Sequence, residues 1–134
     1  MATFQLEIVS MDGQKFAGEV EKLKLRTVTG DLMILARHTN YCTAVGMGTA
    51  VVTMPDGTQR RAACIGGMLS VMDGACRLLP TTWEWSDEID KDRAEAAKKR
   101  AEEKLASVDI SMAEKVRMEA KLYRALVRLQ TAEK

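Results

Sequence analysis

The sequence predicts an all-β N-terminal unit, a sandwich or flattened barrel over residues 1–85, followed by an antiparallel two-helix hairpin over residues 86–134. Three observations carry this reading. All 9 glycines and both prolines precede Thr81. From Ser86 onward the chain is rich in Ala, Glu, Lys, Arg and Leu, which favour helix, and it lacks the residues that make tight turns cheap. Before that point, short apolar runs alternate with Gly and Asp-Gly punctuation, the pattern of hairpins and sheet. A chain of 134 residues ordinarily forms one domain, so the division implies a small compact unit with a loosely held appendage.

Phe4, Leu6 and Ile8 alternate with Gln5 and Glu7, the period of a half-buried strand. Met11-Asp12-Gly13 turns the chain. Phe16 to Val20 and Leu23 to Thr27 repeat the alternation, with Leu23 and Leu25 opposite Lys22, Lys24 and Arg26. Gly30-Asp31 breaks the run, and Leu32 to Leu35 is apolar enough for a strand covered on both faces. Thr49 to Met54 and Gln59 to Ile65 flank Pro55-Asp56-Gly57, where proline presets the first turn position and glycine takes the positive φ. Met68 to Met72 and Ala75 to Leu79 flank Asp73-Gly74 in the same way. Gly66-Gly67, between apolar strands, marks a bulge or a close backbone approach. The count is seven to ten strands. With 2 phenylalanines, the core falls to Leu, Ile, Val, Met and Ala, and the 9 methionines read as packing material.

In the tail, Ile89, Arg93, Ala97, Ala101 and Leu105 recur every four residues, widened by Ala94 and Ala96, and form the inner stripe of a first helix. The pattern slips near Ser107 to Ile110. Ser111-Met112-Ala113-Glu114 is a capping box that opens a second helix, about Met112 to Thr131. Its predicted seam is Ala113, Val116, Ala120, Tyr123 and Val127, with Leu122, Leu126 and Leu129 alongside. A seam so rich in alanine removes little apolar area from water at about 25 cal/mol per Å². The hairpin is therefore predicted to leave its docking site for a few kcal/mol.

Charge narrows the function classes. Residues 1–85 carry 8 basic and 8 acidic side chains, and the tail carries 12 and 11. A net charge of +1 supplies no long-range field for nucleic acid or anionic lipid, so the reading excludes nucleic acid as a general partner. The start, Met-Ala-Thr-Phe-Gln-Leu-Glu, has no signal-peptide character, and no run approaches the roughly 20 apolar residues of a membrane span. The expectation is a cytosolic chain, or one attached to something that sits in a membrane. Cys42, Cys64 and Cys76 have no CxxC spacing and read as small buried strand residues. The lone His38 has no ligand at metal spacing and reads as a loop or edge residue, so no metal site is expected. No Ser-His-Asp set, HExxH, GxxxxGK[ST] or GxGxxG is present, which leaves little for catalysis; no catalytic residue is assigned.

The segment Gly30-Asp31-Leu32-Met33-Ile34-Leu35-Ala36-Arg37-His38 resembles the G-[ED]-[LM]-x-I-x-x-x-H stretch of the epsilon subunit of F-type ATP synthases. Ile65-Gly66-Gly67-Met68-Leu69-Ser70-Val71 resembles that family's SGG-[FI]-[LV]-[EK]-V strand. Order and spacing agree over essentially the whole chain. Ile65 replaces the usual serine, and Ala36-Arg37 replaces the commoner Pro-Gly. The resemblance implies a ten-stranded β-sandwich with a C-terminal helical hairpin, acting as a non-catalytic rotor subunit on the cytoplasmic side of a bacterial cell membrane. It implies that the sandwich binds the gamma subunit and rests on the ring of c subunits, with Asp31 and His38 as contact residues. It also implies a mobile hairpin, docked during turnover and extended into the catalytic alpha/beta head to block ATP hydrolysis.

Ile89-Asp90-Lys91-Asp92-Arg93-Ala94 fits the I/L-D-x-x-R-A motif with which some bacterial epsilon subunits bind ATP. By residue chemistry, Asp90 and Arg93 at i and i+3 share a helix face, so the carboxylate can accept from adenine or ribose while the guanidinium takes phosphate. By resemblance, Arg100, Arg124, Arg128 and Glu84 complete the site, with Trp83 and Trp85 flanking Glu84 at its mouth. The resemblance thus implies ATP as a regulatory ligand, with no cofactor required. The competing reading of the same residues is an Asp90–Arg93 salt bridge on an amphipathic hairpin. The competing function is a β-sandwich module whose charged hairpin docks on nucleic acid or another protein.

Overall fold

The computed structural model describes residues 2–132. Ten strands precede two helices: β1 (Phe4–Val9), β2 (Lys15–Val20), β3 (Lys22–Thr27), β4 (Gly30–Leu35), β5 (Tyr41–Ala44), β6 (Met47–Thr53), β7 (Gln59–Ile65), β8 (Met68–Met72), β9 (Ala75–Leu79), β10 (Thr82–Trp85), α1 (Lys91–Leu105) and α2 (Met112–Ala132). A 3₁₀ turn, Ser86–Glu88, joins β10 to the first helix. The strands form two five-stranded sheets, ordered β2-β1-β9-β8-β5 and β10-β7-β6-β3-β4. Among the described residues seven of the eight strand pairings are antiparallel, and the first sheet is completed by the parallel pairing of β1 with β9, Leu6 opposite Cys76.

Alternation builds the core. Phe4, Leu6 and Ile8 of β1 with Leu69, Val71 and Leu78 of β8 and β9 in one sheet, and Leu23 and Leu25 of β3 with Val52 of β6 in the other, turn inward and are buried. The turns follow their chemistry. Gly57 takes φ +90 after Pro55-Asp56, and Thr58 N–H and Oγ1–H donate to the Asp56 carboxylate, holding its pKa below the ordinary value. Asp73 and Gly74 both have positive φ, +51 and +83, a type I′ hairpin turn. Gly67 is a close approach: a Cβ there would lie 2.2 Å from the Leu79 carbonyl oxygen.

Several expectations are corrected. The β3–β4 turn is Val28-Thr29, and Gly30 already pairs with Thr27. β4 is an edge strand with Met33 and Leu35 about half exposed, so it is covered on one face only. Trp83 and Trp85 are 1% and 6% exposed, stacked edge to face at 5.1 Å within the sandwich core, and Arg60 lies over the Trp85 ring at 3.7 Å. They replace methionine as the bulky filling. Of the methionines, Met118 is buried while Met11, Met33, Met68, Met72 and Met112 are exposed. Cys64 and Cys76 are buried, which pushes each thiol up to about 12, but Cys42 lies exposed on the edge strand β5.

Helix α1 starts two residues after Ile89, where the predicted stripe begins. Asp90 is its N-cap, and its Oδ1 accepts the Arg93 N–H at 3.0 Å. Of the capping box at α2, the Ser111 hydroxyl accepts the Glu114 N–H, while the Glu114 carboxylate meets Lys104 of α1 at 3.7 Å. The α2 seam is rotated from the predicted one. Met118, Ala125, Val127 and Thr131 are buried, whereas Ala113, Val116 and Tyr123 are exposed. The reason is that α2 is packed on two sides, against α1 and against β6 and β7. No helix among the described residues is long and apolar enough to cross a membrane.

Candidate functional site

Helix α2 reaches the sandwich through a small apolar contact and a few polar ones. Val127 and Thr131 are buried at the interface with β6 and β7. Thr131 Oγ1–H donates to the Val127 carbonyl at 2.7 Å, so its oxygen is left to accept from the Thr49 hydroxyl, also at 2.7 Å. Arg61 Nη2 donates to the Gln130 carbonyl at 3.4 Å. Arg128 Nε donates to Glu84 Oε1 on β10 at 3.0 Å, with both side chains about one-third exposed. Each tie is worth about 0.5–1.5 kcal/mol, the charged one somewhat more, so the hairpin is held by an interface that a modest opposing term can break.

At this junction a cavity of about 250 Å³ is lined by Glu84, Asp90, Arg93, Ala94, Ala97, Arg100 and Arg128. Three guanidiniums from three turns of two helices converge on one space with two carboxylates at its rim. Such a set can bind a phosphate chain through bidentate N–H donors and accept from the N–H or O–H groups of an attached polar ring. Asp90 commits one carboxylate oxygen to capping α1 and keeps the other for a ligand. No Asp90–Arg93 ion pair is present among the described residues, where ion pairs join Arg77 to Glu7, Lys98 to Glu95, Lys104 to Glu114 and Arg128 to Glu84.

Six of the eight residues picked out for this site thus face one cavity. Arg124 lines instead an adjoining cleft between the helices, about 450 Å³, that shares Ala97, Arg100 and Arg128 with the first. Ile89 caps the 3₁₀ turn and does not line the cavity. Trp83 and Trp85 alternate with Glu84 and point into the sandwich, away from the cavity. Sequence reading missed Thr49, Arg61 and Thr131; a threonine ending an amphipathic helix carries no distinctive signal.

Asp31 and His38 are not brought together. Asp31, at the start of β4 opposite Arg26, lines a crevice of about 180 Å³ beneath α2 with Thr49, Tyr123 and Val127. His38 lies beyond the other end of that strand, in the loop that follows Arg37 at φ +66. Its Nδ1 is 2.8 Å from the Thr39 carbonyl and its ring is tilted on Tyr41 at 6.0 Å. No cluster of three or more metal-ligating side chains occurs among the described residues.

Fold and site together define a class: a two-sheet sandwich bearing a docked helical hairpin, with a cationic cavity where the two meet. Residues 3–86 match the family model of the ATP synthase Delta/Epsilon chain beta-sandwich domain, and residues 87–133 that of its long alpha-helix domain. The ATP synthase epsilon chain of Caldicellulosiruptor bescii is 39% identical over 133 residues, 99% of this chain and 96% of that one. That of Caldanaerobacter subterraneus subsp. tengcongensis is 37% identical over 98% of this chain and 95% of its own length. A chain in the structure of Euglena gracilis mitochondrial ATP synthase, which contains OSCP, F1 and the c-ring, shares the fold at TM-score 0.83 and 23% identity, covering 98% of this chain and 82% of that one. The chain belongs to the ATP synthase delta/epsilon chain family.

Proposed function

We propose that the chain is the non-catalytic central-stalk subunit of a bacterial F-type ATP synthase, peripheral to the cytoplasmic face of the membrane. Its sandwich joins the gamma subunit to the c ring, and its hairpin restrains ATP hydrolysis when extended. ATP is the ligand of the junction cavity and holds the hairpin docked. The observation that carries the regulatory part is the convergence of Glu84, Asp90, Arg93, Arg100 and Arg128 from strand, helix cap and both helices on one cavity. A ligand there contacts both helices and the sandwich, and extension would dismantle its site.

A second face of α2 supports the mobile hairpin. Met112, Val116 and Leu126 are exposed apolar residues along one side of α2, 75%, 61% and 42% accessible, and Tyr123, 44% accessible, borders them beside the crevice it shares with Asp31 and Thr49. That stripe suits the extended hairpin's contact with the alpha/beta head, with Lys115, Arg117, Lys121, Arg124 and Arg128 supplying charge against an acidic surface. Linkage sets the scale. A ligand that binds only the docked state adds about 2.7 kcal/mol at 100 times its dissociation constant. Moving a population from 1:99 to 99:1 takes about 5.5 kcal/mol. ATP therefore biases a poised switch, and contacts in the extended state supply the opposing term.

Co-purification with the gamma subunit tests the rotor reading. A stable complex carrying the full chain is expected. Failure to associate, with strongly salt-dependent retention on nucleic acid instead, would overturn it.

A further inference from the structure

We propose that the cleft between the two helices binds a phosphate chain longer than a triphosphate, through Arg117, Lys121 and Arg124 of α2 and Arg100 and Lys104 of α1. The proposal goes beyond the ATP reading and is separable from it, since Arg100 and Arg128 line both cavities whereas Arg117 and Lys121 line the cleft alone. The cleft, about 450 Å³, is lined by Ala97, Ala101 and Met118 at its floor and by six cations against one carboxylate, Glu114.

The cations are regularly placed. Arg117, Lys121, Arg124 and Arg128 stand at i, i+4, i+7 and i+11, which puts them on one stripe of α2. They cover about 16 Å of helix at about 1.5 Å per residue. Arg100 and Lys104, one turn apart on α1, face the same cleft. Like charges at these spacings repel and destabilise a helix. Two of the six are compensated, Arg128 by Glu84 and Lys104 by Glu114. Among the described residues, Arg100, Arg117, Lys121 and Arg124 have no carboxylate within 4.0 Å.

The row from Arg128 to Arg117, about 16 Å of helix, is longer than a triphosphate can span. The continuation of the row therefore fits an anion of the same chemistry and greater length. A concave slot between two helices admits a slim linear chain and excludes a folded acidic surface, which favours oligophosphate over protein as occupant of the docked form. Two sources share this chemistry: an inorganic polyphosphate and a nucleotide bearing more than three phosphates.

Calorimetry on the full chain at fixed ionic strength tests this, with inorganic tripolyphosphate, a longer inorganic polyphosphate, ATP and adenosine tetraphosphate as ligands. The longer chain is expected to bind about tenfold more tightly than tripolyphosphate, the factor one added charge-assisted hydrogen bond carries. Arg117→Gln with Lys121→Gln, both at exposed positions, should erase that advantage and leave ATP affinity unchanged. Arg93→Ala should do the reverse, which separates failure of this proposal from failure of the ATP reading. A parallel gain for adenosine tetraphosphate over ATP assigns a nucleotide source, and a gain confined to the inorganic chain assigns polyphosphate. Affinity independent of chain length, or an advantage that survives the double substitution, overturns the proposal and returns the stripe to contacts with an acidic protein.

Discussion

Replacing Thr131 by valine should loosen the hairpin without touching the sandwich core. Thr131 is 0% exposed, donates to the Val127 carbonyl and accepts from Thr49. Valine keeps the shape and removes both bonds. The Val127 carbonyl keeps its place in the helix ladder, so the main loss is the Thr49 hydroxyl left without its acceptor in a half-buried position. That costs about 1–2 kcal/mol, equivalent to about a 5–30-fold larger undocked population. Native-state hydrogen exchange reads it directly: α2 amides should exchange faster by that factor, while amides of β1, β8 and β9 keep their rates. In Thr49→Val with Thr131→Val both partners become apolar and no orphan remains, so protection of α2 should return to within about 0.5 kcal/mol of the parent. Equal acceleration in strands and helices would refute the reasoning, because the hairpin would then open only with the whole fold. An unrescued double variant would show that the hydroxyl pair is not what holds α2.

Gly67→Ala should abolish the folded sandwich, or cost more than about 4 kcal/mol, because its Cβ would meet Leu79 O at 2.2 Å and Pro80 Cα at 2.5 Å. Gly74→Ala, also at positive φ but with open space around it, should cost about 1–2 kcal/mol; thermal melts of the pair check the contrast. A thiol reagent should modify Cys42 in the native protein and reach Cys64 and Cys76 only on unfolding. Burial raises both inner thiols from 9.0 to about 12, so their stabilisation is complete below pH 9 and is lost between pH 9 and 12, by about 1.4 kcal/mol per unit for each thiol. Denaturant titrations across that window should show the decline, and Cys64→Ala should halve its slope, leaving the part due to Cys76. The buried emission of Trp83 and Trp85 should report sandwich unfolding and remain unchanged on adding ATP.

What could be read in advance was local. Proline, Asp-Gly and alternating side chains mark eight of the strands because turn conformation and burial on one face are written in neighbouring residues. β5 escaped because Tyr41-Cys42-Thr43-Ala44 has no clear alternation and forms only by pairing with β8 at a sheet edge. β10 carries a signal of its own, Trp83 and Trp85 alternating with Thr82 and Glu84, but four residues are too few to distinguish a strand from a loop before a helix. The seam of α2 was not legible because the helix has more than one apolar face. Which face is buried depends on where β6, β7 and α1 lie. Asp90 illustrates the same limit at one residue: it fits a ligand motif and an N-cap equally well by sequence, and the structure gives it the cap while leaving it on the cavity wall. The arginines were found by resemblance, and their convergence depends on the packing of α2 beside β10.

The central claim is that the junction cavity is a nucleotide site whose occupation holds the hairpin docked. Calorimetric titration of the full chain with ATP and ADP, repeated on Arg93→Ala and accompanied by hydrogen exchange of α2, addresses it most directly. The account predicts saturable one-to-one binding that favours ATP, a loss of about tenfold or more in affinity for Arg93→Ala with the sandwich intact, and slower exchange throughout α2 when ATP is bound. An affinity unchanged by the substitution, or ATP binding that leaves α2 exchange as it was, would contradict it.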